Sequence, residues 1–290
     1  MAAPDPAGAA GAQAGASGNR NLLLRVASAL ILAPLAIGVT YWGGWPFIVF
    51  WTIAALAVWW EWVRLIDPEG SQGALALGGC ALVLEALLAG TGRMDKALLI
   101  VGLALLGVAV TAARETRWVA GGIVYASALL IASVAVRADA QHGFWAVLLL
   151  FGVVWSADIG GYFGGRAFGG PKLAPSVSPK KTWSGAIVGT LLAVVAAIAI
   201  VHWPQGSLPL RSLLPVACLA LLLAAVSQAG DLFESALKRR FGAKDASGLI
   251  PGHGGVMDRL DGFIFAVLAA ALIGTAREGL SGTARGLLVW

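Results

Sequence analysis

Three stretches in the second half of the chain carry residue types suited to phosphate and metal chemistry. In Asp231-Leu-Phe-Glu234-Ser235-Ala-Leu-Lys238-Arg239-Arg240, positions 231, 234, 235 and 238 share one helix face if the preceding apolar run continues as helix. That stripe holds two acids, a hydroxyl and a lysine, a set that favours a bound cation and phosphates, while Leu232, Phe233 and Leu237 offer a packing side. A second stretch runs through Lys244-Asp245 and Pro251-Gly252-His253-Gly254-Gly255 to Asp258-Arg259-Leu260-Asp261. Its glycines let backbone N–H groups approach an anion closely, and Asp258 and Asp261, three apart, face the same way on a helix. Their hard oxygens suit Mg²⁺ held partly through substrate phosphates. The third begins at Asp158, passes Gly160-Gly161-Tyr162-Phe163-Gly164-Gly165-Arg166 and ends in Ser178-Pro179-Lys180-Lys181-Thr182. There two point charges between two hydroxyls can clamp a triphosphate.

Each stretch also has a plainer explanation. Glu234 and Lys238 are spaced for an ion pair on a solvated helix end, and the glycines from 252 to 255 suit a tight turn in which His253 simply hydrogen-bonds. Gly160 with Gly164, and Gly161 with Gly165, have the small-xxx-small spacing of closely packed helices. Lys180 and Lys181 also suit a basic cytoplasmic loop.

The elements that must position these residues are membrane helices. The chain has 290 residues, of which 59% are hydrophobic and only 12% charged, with a mean hydropathy of +0.83, where a soluble domain carries about 25% charged residues. Apolar runs near 20 residues, the length that crosses a bilayer core, fall at about 23–42, 46–63, 73–91, 96–113, 118–136, 143–163, 184–202, 212–230 and 261–278. The fold class is therefore all-α, a polytopic integral membrane protein with about nine transmembrane helices. The first run lacks a small-residue cleavage site before Trp42-Gly43-Gly44-Trp45 and reads as an anchor rather than a signal peptide.

Residues 1–20, rich in Ala and Gly, read as a disordered tail, 21–140 as a transmembrane scaffold half, and 141–290 as a catalytic half with polar connections at 164–183 and 231–260. With the N-terminus cytoplasmic, that side receives fourteen of the 20 Lys and Arg, all but Arg93, Lys96, Arg137, Arg211, Arg277 and Arg285. This is the favoured orientation, and it puts both polar connections on the cytoplasmic face. Trp42, Trp45, Trp59, Trp60, Trp62, Trp118, Trp183 and Trp203 fall near span ends, where an indole suits the headgroup zone. Glu85, an acid inside a span, is a functional candidate by default. Cys80 and Cys218 lie in apolar runs and read as small buried hydrophobes. No zinc spacing, disulfide framework or basic arm for nucleic acid is present.

The 27-residue run from Ser235 to Asp261, together with Asp231-Leu-Phe-Glu234 upstream and Ser178-Pro-Lys-Lys-Thr182, resembles the signature of the phosphatidate cytidylyltransferases, the CDP-diacylglycerol synthases. The resemblance covers specifically the last half of the chain. It implies a bacterial-type inner-membrane enzyme that joins CTP to phosphatidate at the cytoplasmic face, releasing pyrophosphate. It further implies one or two Mg²⁺-type cations on Asp231 and Asp258, with Asp158 and Asp261 as additional ligands or acceptors. Lys238, Arg239, Lys244 and Arg259 would meet phosphates, with Lys180 and Lys181 closing over the triphosphate between Ser178 and Thr182, and His253, Gly254 and Gly255 beside the substrate. The glycine-rich faces are compatible with a homodimer. Two other classes share some of these features. A CTP-dependent lipid kinase or a CDP-archaeol-type synthase would use the same nucleotide and metal, and a transporter would use Asp158, Glu85 and Asp231 as ion sites.

Overall fold

The computed structural model describes residues 28–69, 72–111, 115–205, 210–250 and 254–290. The tail expected at 1–20, and His253, lie outside them. The helices are α1 Ser28–Trp42, α2 Gly44–Ile66, α3 Gln72–Gly90, α4 Met94–Thr111, α5 Thr116–Arg137, α6 Gly143–Phe168, α7 Trp183–Gln205, α8 Leu210–Arg240, α9 Met257–Glu278 and the short α10 Thr283–Leu288. Among the described residues, the eight helices α2 to α9 are long and apolar enough to cross a membrane. α1 is the described part of the first expected span and is shorter. Between α6 and α7 lies an antiparallel hairpin, β1 Lys172–Ala174 and β2 Ser178–Thr182, pairing Lys172 with Thr182 and Ala174 with Ser178.

Three helices extend four or more residues past an end of their apolar runs. α6 continues to Phe168 instead of stopping at 163, α8 runs to Arg240 instead of 230, and α9 starts at Met257 instead of 261. Hydropathy marks where lipid contact ends, whereas a helix persists wherever its polar side chains find partners. Both polar connections are therefore shorter than the sequence suggests, and the acids and lysines of interest stand largely on helix ends.

α2 runs through the core. Trp51 stacks on Phe263 of α9, centroids 4.9 Å apart and planes within 5°. Trp59 donates from Nε1 to the Leu75 carbonyl at 3.1 Å, and Trp62 to the Trp118 carbonyl at 2.7 Å. Trp59 and Trp62 are thus buried core residues and not part of a headgroup belt, because each indole N–H finds a carbonyl on a neighbouring helix. Glu85 is also buried; its Oε1 accepts from Ser127 at 3.0 Å, and Oε2 has no partner among the described residues. Cys80 and Cys218, expected inside, are exposed on apolar helices.

The glycines of α6 are spent on α7. A Cβ on Gly160 would come within 2.8 Å of the Gly189 Cα, and one on Gly164 within 2.6 Å of the Val188 Cβ. The two backbones therefore pack at van der Waals contact, as small-residue spacing allows. This face is used within the chain, so it lends no support to a homodimer. At the far end from the hairpin, Arg137 donates to the carbonyls of Thr40 at 2.6 Å and Tyr41 at 3.1 Å, capping α1. Arg277 stacks 3.5 Å over the Trp290 ring and donates to the carbonyls of Gly286 and Val289, tying down the C-terminal turn.

Gly160→Val is expected to force α6 from α7 at a cost of about 1–3 kcal/mol, read as a lower thermal midpoint in detergent, while the same change at the unobstructed Gly102 leaves the midpoint close to that of the parent.

Candidate active site

α6 and α8 deliver their C-terminal ends, and α7 and α9 their N-terminal ends, to one side of the bundle, where they and the hairpin surround a cavity of about 750 Å³. Small-molecule sites typically fall within this size range. Its walls include Asp158, Tyr162 and Arg166 of α6, Lys172, Lys180, Lys181 and Thr182 of the hairpin, Gln228, Asp231, Glu234, Ser235 and Lys238 of α8, Asp245, and Asp258, Arg259 and Asp261 of α9. The four positions read as one stripe on α8 do line one cavity, because the helix continues unbroken through them.

Lys238 is the hub. Its amine lies 2.6 Å from Glu234 Oε2 and also pairs with Asp258 Oδ1, joining α8 to α9. The three side chains are nearly dry, with 11% of Lys238, 1% of Glu234 and 6% of Asp258 exposed. The second Asp258 oxygen accepts the N–H groups of Ala246 at 2.9 Å and Gly255 at 2.7 Å, folding the intervening loop back onto α9. Two turns earlier on α8, Asp231 pairs with Lys181, linking the hairpin to α8, with Ser235 Oγ 3.5 Å from the other Asp231 oxygen. Asp261 Oδ1 accepts the Gly262 N–H at 2.7 Å. Asp158, Asp231 and Asp261 lie within electrostatic reach of one another, with Lys181 acting on Asp158 and Asp261 and Arg259 acting on Asp158.

Of the residues singled out from sequence, the cavity gathers Asp158, Lys180, Lys181, Thr182, Asp231, Lys238, Asp258, Arg259 and Asp261. Ser178, Arg239, Lys244, Gly254 and Gly255 are not on its wall, and His253 is outside the described residues. Arg239 donates to the Ala243 carbonyl at 3.2 Å beyond the end of α8. Thr182 caps α7, its hydroxyl accepting the Gly185 N–H at 3.1 Å. Of the glycines expected to cradle an anion, Gly255 has its N–H committed to Asp258, and the N–H groups of Val256 and Met257 that follow go to Glu61 of α2 at 2.8 and 2.6 Å; Gly252 lies outside the described residues.

Glu61 has no counterpart in the sequence reading, yet an acid near the end of an apolar span carries the same signal as Glu85. Gln228, which donates to Thr190 Oγ1 at 2.9 Å, is a second such residue, and nothing in its spacing marks it.

The donor set for a metal is all oxygen. A carboxylate offers about four acceptor positions; Asp258 has three filled, whereas Asp231 has, among the described residues, Lys181 and the distant Ser235 hydroxyl. Among the described residues no three His, Cys, Asp or Glu side chains converge as a metal cage. Mg²⁺ needs no such cage when one or two carboxylates and substrate phosphates hold it, so these residues fit it.

Residues 23–276 match the cytidylyltransferase family. The chain belongs to that family. It is 40% identical over 261 residues to a phosphatidate cytidylyltransferase of Brucella suis biovar 1 (strain 1330), covering 88% of this chain and 93% of the relative. A phosphatidate cytidylyltransferase of Pseudomonas aeruginosa is 36% identical over 271 residues, 88% of this chain and 98% of the relative. One from Haemophilus influenzae is 48% identical over 130 residues, 44% of this chain and 45% of the relative. This cytidylyltransferase is accordingly a nucleotidyltransferase embedded in the membrane, and the match extends through the first half, which spacing alone left as scaffold.

In this cytidylyltransferase, Lys238→Met leaves Glu234 and Asp258 facing each other without a counter-charge. A loss of about 3–5 kcal/mol is expected for breaking such a buried pair, measured by thermal unfolding in detergent, and adding Glu234→Gln should recover part of it.

Proposed function

We propose that this cytidylyltransferase joins CTP to phosphatidate, forming CDP-diacylglycerol and pyrophosphate, at the cytoplasmic face of a bacterial inner membrane. The single observation that carries this reading is the cavity at the helix ends, where six acids and six bases line one space. Phosphatidate keeps its acyl chains in the bilayer while its phosphate sits at the interface, so a site at helix ends needs no lipid extraction.

The chemistry is an in-line displacement. A lipid phosphate oxygen forms a bond to the α-phosphorus of CTP as the bond from that phosphorus to the bridging oxygen of the β-phosphate breaks, and the electron pair leaves with pyrophosphate. Such transfers depend on positioning and on neutralising charge more than on covalent help. The wall's formal charges balance, so a triphosphate and a lipid phosphate bring an excess of negative charge. When bound, a hard divalent cation offsets that excess and polarises the phosphoryl oxygens.

Asp231 would hold the cation with Asp258, as the family resemblance implies, and Asp261 and Asp158, within electrostatic reach of Asp231, would serve as further acceptors that orient its waters. Lys181, paired with Asp231, and Lys180 beside it on β2 would contact phosphates from the hairpin side. Lys238 and Arg259 would do so from the helix side. Lys238 keeps Asp258 aimed, and Gln228 with Thr190 steadies the α7–α8 wall.

The test follows label from CTP marked separately at the α and γ phosphates into lipid, with phosphatidate and Mg²⁺ in mixed micelles. Label from α alone is expected, and Asp231→Asn should abolish it in folded, inserted protein; label from γ would mean a kinase instead. Orientation is checked with Lys244→Cys in a chain whose Cys80 and Cys218 are replaced by serine. The cysteine should stay unlabelled by an impermeant thiol reagent outside intact cells, and labelling there would reverse the topology.

A further inference from the structure

The strongest unassigned feature is the seat of Glu61. This residue of α2 is fully buried, and its carboxylate takes three hydrogen bonds from the loop ahead of α9 and the first residue of α9. Oε1 accepts from the Ser247 hydroxyl and from the Val256 N–H at 2.8 Å, Oε2 accepts from the Met257 N–H at 2.6 Å, and Gly255 packs so closely that a Cβ there would lie 2.6 Å from Oε1. The first turn of a helix has N–H groups with no partner inside the helix, and α9 has no side-chain cap of its own at Val256. Glu61 supplies that cap from another helix, with the sign of charge that the helix dipole favours.

We infer that Glu61 is a positioning residue for the proposed transfer: it latches the loop ahead of α9 to the first half of the chain and thereby fixes Asp258 and Arg259 against the cavity. The linkage is short. Val256 and Met257, held by Glu61, directly precede Asp258, and the neighbouring Gly255 N–H is held by Asp258 itself. Two acids therefore divide three consecutive N–H groups, and removing one acid frees the turn on which the other stands. Glu61 is absent from the cavity wall, so it acts through Asp258 and Arg259 and does not touch substrate.

The inference rests on the proposed reaction, so two readings are taken on the same variant. Glu61→Gln keeps the size but replaces one acceptor oxygen by an NH₂ that faces N–H donors. Amide hydrogen exchange across 245–258 should accelerate, while exchange in α5 and α6 stays as in the parent. kcat for label transfer from CTP should fall about 10²-fold, the effect of a small misplacement of catalytic groups, with little change in KM for CTP. Unchanged exchange overturns the latch; faster exchange with unchanged kcat overturns its positioning role. Should Glu61→Gln not yield folded protein, Ser247→Ala, which removes one contact from the loop side, decides by the same two readings with a smaller fall expected. If the unsubstituted chain transfers no label, the proposed reaction fails, and the exchange reading still judges the latch on its own.

Discussion

A lysine amine held between two carboxylates at the edge of a bilayer is expensive to leave incomplete. Glu234 and Asp258 are almost wholly removed from solvent, and neither could be buried there as an unpaired ion. Lys238 resolves both at once, and in doing so it fixes the crossing of α8 and α9. From that crossing the rest follows. The free face of Asp258 gathers the loop between the helices, the next turn of α8 presents Asp231, and Asp231 receives Lys181 from the hairpin. The cavity is thus bounded by a chain of opposite charges that runs from one helix to the next.

Burial explains why the apolar first half is more than a support. α2 carries an acid and several indoles inward, and three of these polar groups end on a partner in another helix: Glu61 on the α9 turn, Trp62 on the Trp118 carbonyl, Trp59 on the Leu75 carbonyl, whereas the Trp51 indole N–H has no partner among the described residues. In a low-dielectric surround such bonds lack competition from water, so a few of them define the relative placement of helices that apolar packing alone leaves free to slide. Trp51 against Phe263 adds the broad stacked surface that brings α2 to α9.

Much of this was legible in the residues. Hydropathy located the spans, because the bilayer demands long apolar helices whatever the tertiary structure. The three-and-four spacing of Asp231, Glu234, Ser235 and Lys238 foretold a common face, and the plainer explanation of Glu234 with Lys238 as an ion pair holds as well, though buried and shared with Asp258. The glycine spacing on α6 correctly implied close helix packing. What escaped depends on contacts distant in the chain. Glu61 and Val256 are nearly two hundred positions apart, and no periodicity relates them. The committed N–H groups of Gly255, Val256 and Met257 could not be foreseen, since a glycine-rich run looks the same whether its donors face a ligand or a neighbouring acid. Indoles at span ends look alike too, until the structure separates the exposed Trp42 and Trp203 from the buried Trp59 and Trp62.

The seam between α6 and α7 bears on the hairpin that joins them. Where helices touch through glycine, there are no intervening rotamers to rearrange, and the two stems of the hairpin are held at the level of the backbone. Thr182 then ties the end of β2 to the first turn of α7, and Ser184 ties that turn to the Gly169 carbonyl. Lys180 and Lys181 consequently reach the cavity on a platform that has surrendered most of its freedom during folding. A highly charged ligand arriving there, as the proposed function requires, would meet cations already in position, and little of its binding energy would be diverted to ordering the protein.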